Sequence, residues 1–329
     1  MKTLYVSQQG CYLSLDSEIV LVKYKNTTLQ EVKLPHLEQI LIFGHSQVTT
    51  QVIRECLNRD IPIGFLSRMG YCYGRIIPIE RGYRHLAKYQ QQLLAVERLL
   101  VARQMIFAKI KNSRVILQRR YRNKPDPDLQ QAIDRLNHYA EQALKSESIE
   151  QLFGIEGISA ATYFSVFSSC LSSVDFVFTA RSKRPPGNPV NAMLSFGYQV
   201  LWNHLLALIE ITGLDPYNSF LHQGSEKHAA LVSDLIEEFR APIVDSLVIY
   251  LVNRKLIHAV DDFEYRDGGC FLNNSGRKKF LKAFLQRMEE TVSSADEEVP
   301  KWDILGQQVR ELKRFIYEPC RIYSPYLIK

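Results

Sequence analysis

The sequence predicts an α+β fold in which a small β-rich, sandwich-like domain is followed by a larger all-helical domain. Residues 1 to about 80 contain short β-branched and aromatic runs separated by turn residues. From about Gly82 onward, apolar residues recur at helical spacing over long stretches. We therefore divide the chain into a β-rich domain (1–80), a linker (81–90) and a helical domain (91–329).

The first domain is predicted to contain one helix among its strands. Thr49–Asn58 has the apolar spacing of an amphipathic helix. The strand-like runs are rich in Val, Ile, Leu and aromatic residues, and they cover Thr3–Val6, Cys11–Leu15, Ile19–Tyr24, Gln39–Phe43, Ile61–Leu66 and Gly74–Ile77.

Eight helices are predicted in the remainder, and the stretch from Ser293 to Glu298 is predicted to be a surface loop. The helical patterns cover Tyr89–Arg119, Asp128–Ser146, Gly157–Leu171, Asn191–Thr212, Ser225–Arg240, Pro242–Asn253, Ser275–Thr291 and Asp303–Tyr317.

Composition indicates a protein of the cytoplasm. The chain has 329 residues, of which 46% are hydrophobic, and a formal net charge of +6. Its six cysteines include no C-x-x-C pair, which predicts reduced thiols and no zinc knuckle. No signal peptide opens the sequence, and no uninterrupted apolar run is long enough to span a bilayer. The basic balance favours a phosphate-bearing partner, and the lack of a long apolar run predicts that the protein does not act at a membrane.

One helix with acidic residues and a nearby histidine form the first candidate site. Ser225 is a suitable N-cap for a helix that runs to about Arg240. Asp234 and Glu237 are three residues apart, so they share one face, opposite the apolar face. His222 precedes the helix by one short turn and can fold back over it. Taken singly, each of these residues also fits a solvated acidic face or an ordinary loop histidine.

Glu156 is a third candidate acid. It is predicted in the first turn of a helix, where the helix dipole alone would stabilise its charge. The apolar residues on both sides of it predict burial, and a buried carboxylate without a partner is costly. If the fold brings Glu156, His222, Glu237 and Asp234 together, the set is rich in oxygen and contains one nitrogen. Such a set suits Mg²⁺ or Mn²⁺ better than Zn²⁺.

Basic residues are concentrated in three stretches. No acid occurs between Glu97 and Asp126, where nine Lys and Arg residues accumulate. Arg181, Lys183 and Arg184 precede a double proline that stiffens their loop, and a third cluster covers 277–282. Such clusters bind phosphate backbones without sequence preference, although each also fits a solvated face. The cluster beside the prolines is the best candidate for DNA contact because it lies between the acidic motifs.

Four segments between about Leu152 and Arg240 form an ordered set, and they resemble one known family. The resemblance is to the CRISPR-associated endonuclease that integrates new spacers, the first-numbered of the Cas proteins. The N-terminal part agrees more loosely, through Cys56 to Gly70 and Tyr73-Gly74-Arg75. The four segments are Glu156-Gly157 followed by Ala160, Ala161 and Tyr163-Phe164; Arg184–Tyr198; Leu221-His222; and Asp234–Arg240.

The resemblance implies a site and an activity. The family's metal ligands map to Glu156, His222 and Glu237, with Asp234 as a further candidate, and the metal would be Mg²⁺ or Mn²⁺. Tyr163 and Asn191 join Arg181, Lys183 and Arg184 as candidate DNA-binding residues. The implied reaction inserts spacer DNA into a CRISPR array by attack of a 3′-hydroxyl on a phosphodiester. With water as nucleophile, the same site would cut DNA.

The resemblance also implies partners. These are double-stranded and branched DNA, a second copy of the chain joined through the β-rich domain, and the small ferredoxin-like, second-numbered Cas protein. An alternative hypothesis stays open, in which the chain is a helical nucleic-acid-binding or DNA-repair scaffold and its acids and histidine are structural.

Overall fold

The N-terminal region is built from eight strands and one helix. The computed structural model describes residues 2–6, 8–67, 72–78, 83–225, 228–294 and 297–328. The helix is Thr50–Asn58 (α1), capped by the Thr49 hydroxyl, which accepts from Val52 N. The strands are Lys2–Val6 (β1), Cys11–Asp16 (β2), Ile19–Tyr24 (β3), Thr27–Lys33 (β4), Leu37–Phe43 (β5), Gln47–Val48 (β6), Ile63–Leu66 (β7) and Cys72–Ile76 (β8).

These strands form two four-stranded sheets. The first has the order β1-β5-β7-β8, with β1, β5 and β7 parallel and β8 antiparallel to β7. The second has the order β4-β3-β2-β6, with β2, β3 and β4 antiparallel and β6 parallel to β2. One hydrophobic core contains side chains from both sheets, so the predicted sandwich is confirmed.

Strand β5 is buried on both faces, and its side chains point alternately into two hydrophobic cores. Ile40 and Ile42 point into the sandwich core, whereas Leu41 and Phe43 belong to the core of the helical region. Aromatic stacking strengthens this second contact, because the rings of Tyr5 and Trp302 lie 4.9 Å apart. The outer face of the first sheet is therefore covered by helices.

The rest of the chain is mostly helical, as the sequence predicts. The predicted helix Tyr89–Arg119 is in fact two helices, because Leu94 is extended and its N–H donates to Glu97 at the start of the second one. The helices are Tyr83–Gln92 (α2), Ala95–Asn123 (α3), Pro127–Lys145 (α4), Ile149–Ser165 (α5), Pro189–Thr212 (α6), Ala230–Leu235 (α7), Ser246–Asn253 (α8), Asn274–Glu289 (α9) and Lys301–Tyr317 (α10).

Two β-hairpins within this region were not predicted, so it is not all-helical. Phe263–Arg266 (β9) and Gly269–Leu272 (β10) are joined by Asp267 and Gly268, both at positive φ. Thr291–Ser294 (β11) pairs with Glu297–Pro300 (β12) in the stretch predicted as a loop. Residues 295 and 296 of that stretch lie outside the described residues.

Helix α6 runs through the centre of the helical core. By length and composition it is the one described helix that could cross a membrane, but 67% of its most apolar window is buried inside the fold. Asn191, Asn203 and His204 interrupt its apolar sequence and are themselves buried. These are the features of a core helix.

The predicted domain boundaries near residues 80 and 90 remain a prediction. Residues 79–82 lie outside the described residues, as does Gly70 at the end of one matched segment.

Candidate active site

The acidic segment is less regular than a single helix. The predicted helix from Ser225 to Arg240 is wrong at its start, because Ser225 pairs with His228 as a bridge and α7 begins only at Ala230. After α7 the backbone tightens to a 3₁₀ turn at Ile236–Glu238 and then widens to a π-helical turn at Arg240–Asp245. Changes of helical pitch like these often mark functional sites.

Pro242 explains part of this irregularity. It has no N–H to donate to the carbonyl of Glu238, four residues earlier. The side chain of Asn112 from α3 donates to that carbonyl instead, with Nδ2 2.8 Å from the oxygen. The carboxylate of Glu238 accepts from Tyr323 Oη at 2.5 Å and from Tyr326 N at 2.7 Å. The segment is thus held by residues distant in sequence.

Asp234 organises the loop that carries His222. The carboxylate is fully buried and accepts from the backbone N–H groups of Phe220, Leu221 and His222 at 2.6–2.9 Å. Its Oδ1 also lies 2.7 Å from Nδ1 of the His222 ring. When Nδ1–H donates to a carboxylate, the lone pair is on Nε2, which is then the available ligand atom.

Glu156 lies in the middle of α5, not in the first turn as predicted. The helix starts earlier because the Ser148 hydroxyl caps it, accepting from Gln151 N at 3.2 Å. The Glu156 side chain is 27% exposed, so it is partly buried, as predicted. One turn before it, the Phe153 ring meets the His222 ring edge to face, which brings α5 against the histidine loop.

The structure brings Glu156 and Glu237 together around a lysine that the sequence did not single out. Lys109, from the middle of α3, forms ion pairs with both carboxylates. Its Nζ is 2.7 Å from Oε2 of Glu237, and NH2 of Arg240 is 3.0 Å from Oε1 of the same residue. Arg240 could have been noticed from its i,i+3 spacing to Glu237. Lys109 could not be distinguished from the other cations of its stretch.

These neighbours determine the charge of the site. Burial raises the pKa of Glu237, but the charges of Arg240 and Lys109 outweigh burial and lower the pKa to about 2. Burial lowers the pKa of His222, yet the hydrogen bond and charge of Asp234 raise it more, so the pKa lies above the ordinary value. Glu237 is therefore a carboxylate at neutral pH.

The donor set fits a divalent cation. Within the described residues, no three His, Cys, Asp or Glu side chains already stand in ligating positions. However, two carboxylates converge on one ammonium, which stands where a bound cation would neutralise them. Glu237 Oε2 is buried, and in the part of the chain that the structure describes its close polar neighbour is the Lys109 ammonium, 2.7 Å away as an ion pair. A ligand set of Glu156, Glu237 and His222 Nε2 suits Mg²⁺ or Mn²⁺.

A cavity of about 450 Å³ adjoins these residues. Asp245 lies at its wall and accepts from Tyr198 Oη at 2.5 Å, and burial raises the Asp245 pKa to about 6. Arg240 lies over the Tyr198 ring, 5.0 Å from its centroid. The pKa of Lys183 is lowered, first by desolvation where its side chain borders the cavity and then by the charges of Arg240 and Lys109.

The candidate DNA-binding residues fall into two groups. Lys183 and Arg184 are exposed on the loop before α6. Arg181 is half-buried and donates to Asn191 Oδ1 at 2.8 Å and to Ser195 Oγ at 3.0 Å. Asn191 is fully buried, with Nδ2 donating to Ala180 O. Arg181 and Asn191 therefore shape the loop from within.

Tyr163, the fifth candidate DNA-binding residue, resembles Arg181 and Asn191: its side chain is buried at the cavity wall and not presented on the surface.

In the basic stretch between Glu97 and Asp126, several cationic side chains bond to other parts of the protein. Arg103 and Arg114 donate to carbonyls at the end of α4 and within it, and Lys111 donates to Asn137 Oδ1. Arg119, Arg122 and Lys124 remain exposed near the end of α3. In the third cluster, Lys279 pairs with Asp262 at 2.7 Å. These stretches contribute fewer exposed cations than the sequence suggested.

Comparison with known proteins identifies the family. The family model described as CRISPR associated protein Cas1 matches residues 4–286. The chain belongs to the Cas1 family. A CRISPR-associated endonuclease Cas1 of Chlorobaculum tepidum is 31% identical over 343 residues, covering 99% of this chain and 98% of the relative. The family and class of enzyme predicted from the motifs, a CRISPR-associated endonuclease, are thereby confirmed.

Some Cas1 relatives are longer than this chain. A Cas4 exonuclease/Cas1 endonuclease fusion of Geobacter sulfurreducens is 36% identical over 305 residues, which is 88% of this chain but 53% of the fusion. This chain thus spans about half the length of that relative.

Solved structures agree on the Cas1 fold. A Cas1 protein from Thermotoga maritima superposes with a TM-score of 0.71 at 26% identity, covering 97% of each chain. A casposase bound to integration product gives 0.72 at 25% identity, covering 96% of this chain and 95% of the casposase. A chain of a partial Cas6-RT-Cas1–Cas2 complex gives 0.85 at 24% identity, covering 100% and 99%, and this similarity shows the fold alone.

Proposed function

We propose that this chain is a metal-dependent DNA endonuclease and integrase that inserts spacer DNA into a CRISPR array. The observation that carries the proposal is the convergence of Glu156 and Glu237 on one buried cation, with His222 held beside them by Asp234. Relatives named as endonucleases and a related casposase solved with integration product support the same chemistry.

Glu156, Glu237 and His222 would hold Mg²⁺ or Mn²⁺. When bound, the ion supplies Lewis-acid polarisation of the scissile phosphate and lowers the pKa of a hydroxyl nucleophile. Asp234 would fix the His222 ring through Nδ1, which leaves Nε2 as the atom that can bind the ion. Glu237 stays ionised at neutral pH because of its cationic neighbours. A DNA 3′-hydroxyl as nucleophile gives integration, and water gives cleavage.

DNA would approach along the loop before α6. Lys183 and Arg184 are exposed there, and they attract phosphates through charge alone. Arg181 and Asn191 fix the loop from beneath, and Pro186 O accepts from Cys270 N of β10 at 2.7 Å. The loop is therefore ordered before DNA arrives, which reduces the entropy lost on binding.

Three further features belong to the same proposal. Relatives of known structure occur in complexes named Cas1–Cas2 and with DNA, so we propose double-stranded or branched DNA and a small Cas2-type protein as partners. We propose a homodimer joined through the β-rich region, and residence in the cytoplasm.

The test is cleavage and strand transfer on branched DNA with added Mg²⁺ or Mn²⁺. Glu156→Ala should abolish both activities while DNA affinity stays nearly unchanged, because affinity rests on the basic loop. Glu150→Ala is the matched control, since Glu150 is an exposed acid in the first turn of the same helix. Full metal-dependent activity in Glu156→Ala would contradict the proposal and favour the binding-scaffold alternative.

A further inference from the structure

Lys109 occupies a position that a divalent cation would also need, and the inference drawn from it rests on the proposed function. Its ammonium contacts the carboxylates of both Glu156 and Glu237. The Lys109 side chain is 12% exposed and that of Glu237 is 3% exposed, so bulk water screens this contact weakly. The pair is held in place by the packing of α3 against α5 and against the acidic segment.

An ammonium and a divalent ion cannot occupy the same place between two carboxylates. They carry like charges, and each needs the same carboxylate oxygens as ligands or acceptors. An ion held by Glu156 and Glu237 would therefore have to displace the Lys109 ammonium. The lysine in turn neutralises the two acids whenever no ion is present, which lowers the repulsion between them.

The structure gives the displaced side chain somewhere to go. Lys109 lines the cavity of about 450 Å³ beside the site, together with Ser113, Ser159 and Asp245. The lysine side chain has four flexible carbons and three rotatable donors, so its ammonium can move while the backbone of α3 stays fixed. The same cavity also borders Arg181, Lys183 and Arg240.

We propose that Lys109 is an internal counter-cation of the metal-free site, which competes with the divalent ion for Glu156 and Glu237 and leaves them when the ion binds. The lysine thereby lowers the apparent metal affinity. It also couples metal occupancy to the release of one positive charge toward the cavity that faces DNA.

Calorimetric titration of metal-stripped protein with Mn²⁺ tests this. Lys109→Met should bind Mn²⁺ at least about tenfold more tightly than wild type, since the competitor is gone, whereas Lys109→Arg should gain nothing. The matched control is Lys111→Met, which removes a lysine two residues along the same helix that bonds Asn137 Oδ1 at 2.9 Å. Lys111→Met should titrate like wild type. Equal or weaker Mn²⁺ affinity in Lys109→Met would overturn the inference.

A second measurement uses the unmodified protein, in case Lys109→Met does not fold. The rate of Lys109 acetylation by acetic anhydride, followed by mass spectrometry, should rise severalfold when Mn²⁺ is added, while the rate at Lys111 stays constant. An unchanged rate at Lys109 under saturating Mn²⁺ would contradict displacement. These experiments distinguish a failure of the proposed function from a failure of the inference about Lys109. If the wild-type protein bound no Mn²⁺, the proposed function would be refuted. If it bound Mn²⁺ without releasing Lys109, only this inference would be refuted.

Discussion

The buried carboxylate of Asp234 orients the His222 ring and the loop that carries it. Three backbone N–H groups and the His222 ring all meet its two oxygens. The backbone bonds fix where the loop turns, and the ring contact fixes which nitrogen faces the site. The metal-binding role considered for Asp234 remains untested, but its contacts account for both oxygens without a metal.

Replacing Asp234 with Asn should therefore weaken metal binding without removing a ligand. The amide keeps one acceptor oxygen, but its NH₂ group would face N–H donors, and the orientation of the His222 ring would be lost. We expect a loss of about 10- to 100-fold in Mn²⁺ affinity by calorimetry. His222→Ala should lose more. Asp261→Asn, at an exposed acid, is the control and should bind like wild type. Undiminished affinity in Asp234→Asn would mean that the carboxylate is only a loop anchor.

Asp245 should make stability depend on pH in a direction unusual for an acid. Its folded pKa of about 6 lies above the ordinary 3.8, so the folded state holds a proton between pH 4 and 6 that the unfolded state has released. Stability from this group is thus greatest at pH 4 and decreases as pH rises through 6. Relative to Asp245→Asn, wild type should lose about 2 kcal/mol of unfolding free energy between pH 4 and pH 7.

Urea denaturation of both proteins at several pH values measures this difference, and all other titrating groups cancel. Asp134→Asn, at an exposed acid on α4, should show no such pH-dependent difference. If the difference in unfolding free energy between wild type and Asp245→Asn did not change with pH, the raised pKa of Asp245 would be refuted.

The order of motifs was enough to select Glu156, His222 and Glu237 as candidates, and their role as ligands stays a prediction. The structure brings Glu156 and Glu237 together at Lys109, and it ties His222 to Asp234. Lys109 could not be singled out from the sequence, because eight of the nine cations of its stretch lie on the same helix. Which of them meets the acids depends on how α3 packs against α5. Arg181 was selected for its charge and Asn191 from the family resemblance, and in the structure both side chains are turned inward and bond to each other.

The acidic segment is the element that departs most from its predicted form. Its residues read as one amphipathic helix because the apolar spacing persists through Phe239. Pro242 then removes one backbone donor, and the pitch changes on both sides of Phe239. The partner that compensates, Asn112, is 126 residues earlier, so no local pattern could reveal it.

Asn112 should consequently matter more for stability than an average polar residue. Its Nδ2 donates to Glu238 O and Tyr326 O, and its Oδ1 accepts from Ile328 N at 3.0 Å. Asn112→Ala would leave a buried carbonyl without a donor, which costs about 1–3 kcal/mol for that group. Chemical denaturation should show at least this loss, whereas Asn123→Ala, exposed at the end of the same helix, should change little. Equal stability of the two variants would mean that water replaces the amide.

The hairpin of β9 and β10 illustrates a signal that was present and overlooked. Asp-Gly between two short apolar runs is a strong hairpin pattern. It was missed because the surrounding sequence is so strongly helical. By contrast, the sandwich was predictable because alternation with period two survives in most of its strands.

For the whole molecule, one aromatic cluster joins the β-rich region to the helices. Trp302 stacks on Tyr5, and its ring lies 4.7 Å from His204 and 6.0 Å from Phe43. Burial of His204 lowers its pKa to about 4, so the cluster stays uncharged at neutral pH. The β-rich and helical regions therefore share a packed aromatic contact, whereas the boundary predicted between them stays a prediction.

Trp302→Ala should destabilise both regions together. Removing a buried Trp costs about 3–5 kcal/mol, and here the cavity would open between a sheet and the helices. Calorimetry should show one transition at lower temperature, or two transitions if the regions become uncoupled. Tyr265→Ala, at an aromatic that is 70% exposed, is the control and should leave the transition nearly unchanged. A variant as stable as wild type would show that the contact contributes little.

Helix α6 connects the β-rich region at its C-terminal end to the basic loop (residues 181–184) at its N-terminal end. At its C-terminal end, Glu210 forms an ion pair with Arg75 at 2.8 Å. The next residue, Ile211, packs directly on Gly64: a Cβ atom at position 64 would lie only 2.6 Å from Cδ1 of Ile211. At its N-terminal end Asn191 holds the basic loop. Twenty-four helical residues fix this separation at about 36 Å. Because both ends of this helix are anchored, the basic loop and the first sheet keep a fixed separation, so neither can shift without moving the other.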